Sequence, residues 1–213
     1  MIDDLACLMY LLAYDDVAEG LYDRSRAQLL VRAAALTDLA LRGRLGEVGG
    51  TVTVSGTEPT GDLVLDGVLR DAAGAGQGWK HLMRRHRKRT LTEVEDRLGA
   101  AGLLTLKAPR TRFCTWRLTV TDRAVPAALR GRVSAALHGD GPVGEIPAAD
   151  AALLALAVAG GVRSVVSRQD QKTFRARIDA CTGCLGALAP GLEKAVRALP
   201  TTMIAAQGGM GGS

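Results

Sequence analysis

The sequence contains few aromatic residues, few cysteines and no long hydrophobic run. Phe, Trp and Tyr make up only 3% of the 213 residues, and Ala, Leu and Val supply most of the apolar mass. Because the aromatic residues that favour strands are scarce, this composition favours helices over a β-sandwich. The longest strongly apolar stretches, 5–13 and 151–161, are well short of the roughly 20 residues that cross a bilayer. We therefore expect a mainly α-helical protein without a transmembrane helix.

Four cysteines are too few for a disulfide framework in a chain of this length. The first residues, Met1-Ile2-Asp3-Asp4, are acidic where a secretory signal is basic. We therefore expect a cytoplasmic protein with reduced thiols. Cys181 and Cys184 have the spacing of half a zinc site, but no second pair accompanies them. We interpret them as core residues of a helix, with a redox role and then a metal site as weaker alternatives.

The local signatures of the common enzyme classes are also missing. The sequence has no Gly-x-x-x-x-Gly-Lys-Ser/Thr phosphate loop, no Gly-x-Ser-x-Gly elbow and no His-Glu-x-x-His motif. Its three histidines are His81 and His86, which lie within a basic run, and His138 in a predicted loop. None of them has a sequence context that indicates catalysis. These patterns therefore indicate no catalytic residue, no cofactor and no metal.

Charge is distributed unevenly along the chain. The net charge is +5, yet residues 80–133 hold 14 Lys and Arg against 4 Asp and Glu, so the rest of the chain is negative overall. The run Lys80–Arg89 has six fixed positive charges and no acid, and such charges repel one another unless an anion is bound. Arginine predominates, and its planar guanidinium suits phosphate. The run predicts a nucleic acid, an anionic membrane or an acidic protein as partner, with a solvated face as the alternative.

Hydrophobic periodicity predicts a mainly α fold with two short β-hairpins. The predicted hairpins cover 44–55 and 103–121, and the predicted helices cover 3–14, 25–41, 63–72, 79–101, 127–137, 148–159, 169–188 and 192–199. We expect one domain over 1–206 and a flexible glycine-rich tail over 207–213. A basic helix over 80–98 followed by a hairpin is also the local arrangement of winged-helix modules. A nucleic-acid-binding protein is therefore the alternative function.

Three sequence blocks resemble the Golgi phosphoprotein 3 family in order and spacing: Leu36–Leu45 (LTDLALRGRL), Pro59–Asp66 (PTGDLVLD) and Leu98–Leu104 (LGAAGLL). The similarity covers about residues 3–200. It implies a helical bundle ringed by amphipathic helices, a protruding hairpin, no catalysis and peripheral binding to phosphatidylinositol 4-phosphate. Because the chain lacks the basic N-terminal arm of the eukaryotic adaptors, it looks like a bacterial relative.

The resemblance also implies residues that bind the phosphorylated headgroup. Arg32 matches the family's arginine on the helix before the first block, whereas the family's tryptophan falls on Asp23, with Tyr22 the nearest aromatic. Two further family arginines fall on Lys88 and Leu91, so only one keeps its charge. The candidate headgroup residues are Tyr22, Arg32, Arg84, Arg85, Arg87 and Lys88.

The second predicted hairpin corresponds to the family's membrane-contacting hairpin. Its candidate contact residues are Arg110, Arg112, Phe113 and Trp116. Aromatic side chains can enter the interfacial region while arginines contact lipid headgroups, although half-buried aromatics that cover the core would give the same pattern. The expected partner is an anionic phospholipid headgroup at the inner face of a membrane, with client proteins and self-association through the hairpin as further partners.

Overall fold

The structure is a computed structural model, and it describes residues 3–21, 23–56, 58–74, 76–107 and 117–208. Within these ranges it is mainly helical, with three small antiparallel two-stranded sheets, which confirms the predicted fold class. The elements in chain order are α1 (Leu5–Leu12), β1 (Tyr14–Asp15), β2 (Gly20–Leu21), α2 (Arg24–Leu41), β3 (Leu45–Val48), β4 (Thr51–Val54), α3 (Leu63–Ala72), α4 (Trp79–Arg84), α5 (Arg87–Ala100), β5 (Leu104–Lys107), β6 (Arg117–Val120), α6 (Ala124–His138), α7 (Ala148–Ala159), α8 (Arg168–Thr173), α9 (Arg175–Leu188), α10 (Pro190–Arg197) and α11 (Leu199–Gly208).

Helix α2 forms the centre of the bundle. It is buried from Ala27 to Ala40 and packs against α1, α3, α4, α5, α7 and α11. Helix α1 is buried along its whole length, and α7 is buried from Asp150 to Ala157. Alanine is frequent in α2 and α7, so the backbones of these two helices can approach closely. The other helices surround this core, and within the described ranges no helix is both long and apolar enough to span a bilayer.

Aspartates fix the start of three of these helices. Asp4 accepts a hydrogen bond from the Cys7 amide at 2.8 Å, and Asp23 accepts one from the Arg26 amide at 3.0 Å. Asp62 caps α3 through the amides of Val64 and Leu65. A carboxylate at this position satisfies amides that have no partner within the helix.

The strands of both predicted hairpins pair as expected, and the described residues also contain a third, separate strand pair. Strands β3 and β4 pair with Leu45 opposite Val54, and β5 and β6 pair with Leu104 opposite Val120. The tip of the second hairpin, 108–116, lies outside the described residues. The pair β1 and β2 was not predicted, because strands of two residues show no alternation.

Three predicted helix boundaries are wrong. The helix predicted over 79–101 is interrupted after Arg84, and His86 takes a left-handed conformation with φ 53° before α5 begins. The helix predicted over 169–188 is two helices, which meet at Phe174. A further helix, α11, follows α10 and ends at Gly208, two residues into the predicted tail. Local hydrophobic periodicity continues across each of these junctions, so it does not reveal them.

Candidate anion-binding site

The site is built around Arg32, which α2 carries into the core. This side chain is completely buried. Its Nε donates to the Leu82 carbonyl at 3.1 Å, and its Nη1 donates to Thr90 Oγ1 at 3.1 Å. In a continuous helix the Leu82 carbonyl would accept from the residue-86 amide. The interruption after α4 frees this carbonyl for Arg32, which gives a physical reason for the broken helix.

Asp71, at the end of α3, is the counter-charge of Arg32. Its carboxylate lies 3.1 Å from Arg32 Nη1, 2.5 Å from Arg89 Nη2 and 3.9 Å from His86 Nε2. Burial alone would raise the pKa of Asp71, but the hydrogen bond from Arg89 and the charges of Arg32 and Arg89 hold that pKa below its usual value. Asp71 therefore remains ionised and joins α3 to α2 and α5.

The pKa values of the two arginines shift in opposite directions, because burial is the larger effect at Arg32 and the Asp71 hydrogen bond is the larger effect at Arg89. Burial lowers the pKa of Arg32, with Asp71 acting in the opposite direction. The hydrogen bond to Asp71 raises the pKa of Arg89, whose Nε also lies 3.3 Å from Glu93. Arg32 Nη2 is buried and has no hydrogen-bond acceptor among the described residues. This buried network leaves one guanidinium donor unused.

The surface above this network is the N-terminus of α5. The helix has no side-chain cap and no acidic residue in its first turn, and the first described backbone bond into the helix runs from the Thr90 amide to the His86 carbonyl. The amides of Arg87, Lys88 and Arg89 have no acceptor in the described part of the chain. Helix N-termini carry partial positive charge and bind anions, phosphate in particular.

Four side chains surround a cavity of about 360 Å³ at this helix start: Arg84, His86, Arg87 and Lys88. We call it the α5 cavity. Arg84 and Lys88 are exposed and Arg87 is half-buried. Among the described residues, none of these three cations forms an ion pair with a carboxylate, in contrast to Arg89. The cavity therefore combines unpaired cationic side chains with free amides.

The structure brings together only some of the residues that the sequence predicts for the site. Arg84, Arg87 and Lys88 surround the α5 cavity, whereas Arg32 lies in the core beneath it. The Arg85 Nε donates to His86 Nε2 at 3.0 Å, and Arg85 lines a neighbouring groove. Tyr22, Arg110, Arg112, Phe113 and Trp116 lie outside the described residues.

Three residues of the site were missed by sequence reasoning. Asp71 comes from α3 and meets His86 and Thr90, at the start of α5, only through the packing of both helices on α2. No local motif marks Asp71, which stands as an ordinary acid near the end of a helix. Only the absence of any acid in the run Lys80–Arg89 could have indicated that a partner carboxylate comes from elsewhere.

A comparison with protein families agrees with the resemblance of the three sequence blocks. The family model described as Golgi phosphoprotein 3 (GPP34) matches residues 5–199, which is nearly the whole chain. A search of curated proteins finds no match. The matched range includes Arg32, Asp71 and the start of α5. The chain belongs to the Golgi phosphoprotein 3 (GPP34) family.

Proposed function

We propose that this protein is a non-enzymatic peripheral membrane protein that binds the phosphorylated headgroup of an anionic phospholipid, of the phosphatidylinositol 4-phosphate type. The observation that carries the proposal is the α5 cavity, where unpaired cations surround the uncapped start of a helix. Family membership supports the same function. On this proposal the protein works on the cytoplasmic face of a membrane, as an adaptor for client proteins.

In this proposal phosphate oxygens accept hydrogen bonds from the amides of residues 87–89. The side chains of Arg84, Arg87 and Lys88 neutralise the negative charge of the phosphate. Arg32 has a different role from the one that the resemblance implies, because its side chain is buried and already bonded to Leu82 and Thr90. We assign Arg32 as a positioning residue that holds the junction between α4 and α5.

Vesicle flotation tests this function. The protein is mixed with vesicles of phosphatidylcholine alone, with phosphatidylserine added, or with phosphatidylinositol 4-phosphate added at matched surface charge. We expect recovery with the anionic vesicles and the highest recovery with the phosphoinositide. A basic residue near an anionic surface contributes about 1 kcal/mol, so the double variant Arg87→Gln, Lys88→Gln should bind about 30-fold more weakly.

Arg168→Gln with Lys172→Gln is the matched control, because both residues are exposed on α8 and neither forms an ion pair with a described residue. This control should bind like the wild type. Equal recovery with neutral and anionic vesicles would overturn the proposal. Salt-dependent binding to duplex DNA without vesicle binding would also overturn it, and would favour the nucleic-acid alternative.

A further inference from the structure

A second and larger concave surface lies beside the α5 cavity. It is an open groove of about 1070 Å³ between the β3–β4 hairpin, helix α4 and helix α10. We call it the α4–α10 groove.

The groove is strongly basic. Helix α4 and its end supply Lys80, His81, Arg84 and Arg85, and α10 supplies Lys194 from the opposite wall. All five side chains are exposed. Among the described residues, Lys80, Arg84 and Lys194 form no ion pair. Their positive charge is therefore available to a partner.

The one acidic residue of the lining is already engaged. Glu47 Oε2 accepts hydrogen bonds from Trp79 Nε1 at 3.0 Å and from the Gly191 amide at 2.7 Å. Glu193, the neighbour of Lys194, is bound to Arg197 at 2.9 Å. Both carboxylates are thus held by groups outside this cationic set, and no described ion pair joins either of them to a cation of the groove. An anionic occupant would supply the missing counter-charges.

The floor of the groove is made of small residues. A Cβ at Gly191 would lie 2.7 Å from the Glu47 carboxylate, and a Cβ at Gly78 would lie 3.2 Å from the Gly50 carbonyl. Ala195 and Ala198 continue this floor along α10. The two glycines are therefore needed for contacts within the protein, and none of these small residues fills the groove between the cations. This shape fits an extended chain.

Size and shape separate the possible occupants. The volume is slightly above the range of about 300–1000 Å³ that is usual for small-molecule sites, so a single phosphate would leave most of the groove empty. A flat membrane surface would contact mainly the rim of such a concave groove. A short polypeptide with several carboxylates can place its backbone on the small-residue floor and its acids against the opposite walls.

We propose that the α4–α10 groove binds a short acidic segment of a partner protein. The site goes beyond the lipid-binding function and does not depend on it. The acids of the segment pair with Lys80 and Arg84 on one wall and with Lys194 on the other. Glu47 holds α10 against the hairpin, so the two walls keep a fixed separation.

Fluorescence anisotropy tests the proposal in the absence of lipid. The probes are a labelled peptide of alternating Glu and Ala, and the same peptide with Gln in place of Glu. We expect only the acidic peptide to bind, with an affinity that falls as salt rises. The variant Lys80→Glu, Lys194→Glu should weaken binding about tenfold or more, because two attractions become repulsions.

The matched control is Arg168→Glu with Lys172→Glu, which makes the same change in net charge on α8. It should bind the peptide within about twofold of the wild type, and circular dichroism should show that both variants fold. An equal loss in both variants would overturn the proposal, because the attraction would then come from net charge and not from the groove.

Three further outcomes would overturn it in favour of another occupant. Light scattering could show a salt-sensitive dimer that Lys80→Glu, Lys194→Glu dissociates, which would make a second copy the occupant. Alternatively, the wild type could fail to bind the peptide while Lys80→Glu, Lys194→Glu no longer floats with vesicles. That result would make the membrane the occupant of the groove. Tighter binding of a single-stranded oligonucleotide than of the peptide would indicate a nucleic acid. Since the peptide assay contains no lipid, a failure of lipid binding leaves its result unaffected.

Discussion

Arg32 and Asp71 form an ion pair of 3.1 Å, in which the guanidinium is completely buried and the carboxylate nearly so. The pair joins the central helix α2 to the end of α3. Through Arg89, which lies 2.5 Å from the same carboxylate, it also holds the start of α5. The helix start that offers its amides to an anion is therefore fixed by charges that lie below the surface.

Removal of the Asp71 charge should destabilise the fold. Asp71→Asn leaves the Arg32 guanidinium buried without its counter-charge, and the loss of one partner of a buried pair costs about 3–5 kcal/mol. The free energy of unfolding in urea, followed by circular dichroism, measures this loss. Asp96→Asn, at an exposed position of α5 without a described ion pair, should change it by less than about 0.5 kcal/mol.

A double variant separates the unpaired charge from a simple packing defect. Arg32→Met with Asp71→Leu removes both charges and keeps apolar volume, so it should be more stable than Asp71→Asn alone. If the double variant is less stable than Asp71→Asn, the cost does not come from an uncompensated guanidinium, and the ion pair is not what fixes these helices.

The depressed pKa of Asp71 predicts how this stabilisation depends on pH. Its folded-state pKa lies below the value of 3.8 taken for the unfolded chain, so the contribution is complete above pH 3.8 and falls as pH drops through the lower, folded-state value. The difference in unfolding free energy between the wild type and Asp71→Asn should be constant from neutral pH to about pH 4 and narrow below it. If the difference in unfolding free energy narrowed as pH rises, the pKa of Asp71 would not be lowered by folding.

Much of the fold could be predicted because it depends on local sequence patterns. The apolar spacing of α2, the cap at Asp62 and the glycine turn of the β3–β4 hairpin all depend on neighbouring residues, and the structure contains each of them. The interruption at His86 depends instead on a contact between distant segments, since Arg32 takes the Leu82 carbonyl. Such a contact leaves no periodic signal at residues 79–101.

The candidate site was predictable in its charge but not in its geometry. The basic run indicated an anion site, and Arg84, Arg87 and Lys88 do lie around one cavity. Arg32 was expected beside them, and the structure places it beneath them, paired with Asp71. Whether such an arginine points to solvent or to the core depends on which carboxylate packs against it, and Asp71 comes from another helix.

Two Gly→Ala substitutions should have opposite effects on stability, because Gly160 lies against Leu30 of α2 whereas Gly131 faces open space. A Cβ at Gly160 would lie 2.5 Å from Leu30 Cδ1, so Gly160→Ala should destabilise the protein by about 1–3 kcal/mol through overpacking. Gly131 lies on α6 with nothing within 4 Å, so Gly131→Ala should stabilise it by about 0.5–1 kcal/mol. Thermal melts of both variants test this, and a Gly160→Ala variant as stable as the wild type would show that the two helices can move apart.

Arg84 lines both the α5 cavity and the α4–α10 groove, so one substitution should affect both proposed ligands. Arg84→Gln should weaken binding to phosphoinositide vesicles and binding to the acidic peptide. Each affinity should fall roughly fivefold, which corresponds to a loss of about 1 kcal/mol. Lys88→Gln should weaken vesicle binding alone, because Lys88 lines only the α5 cavity, and Lys194→Gln should weaken peptide binding alone.

Since a bound segment would occupy Arg84, saturating peptide should also reduce vesicle flotation of the wild type but not of Arg84→Gln. Vesicle and peptide affinities that change independently in Arg84→Gln would show that the two surfaces do not share this residue.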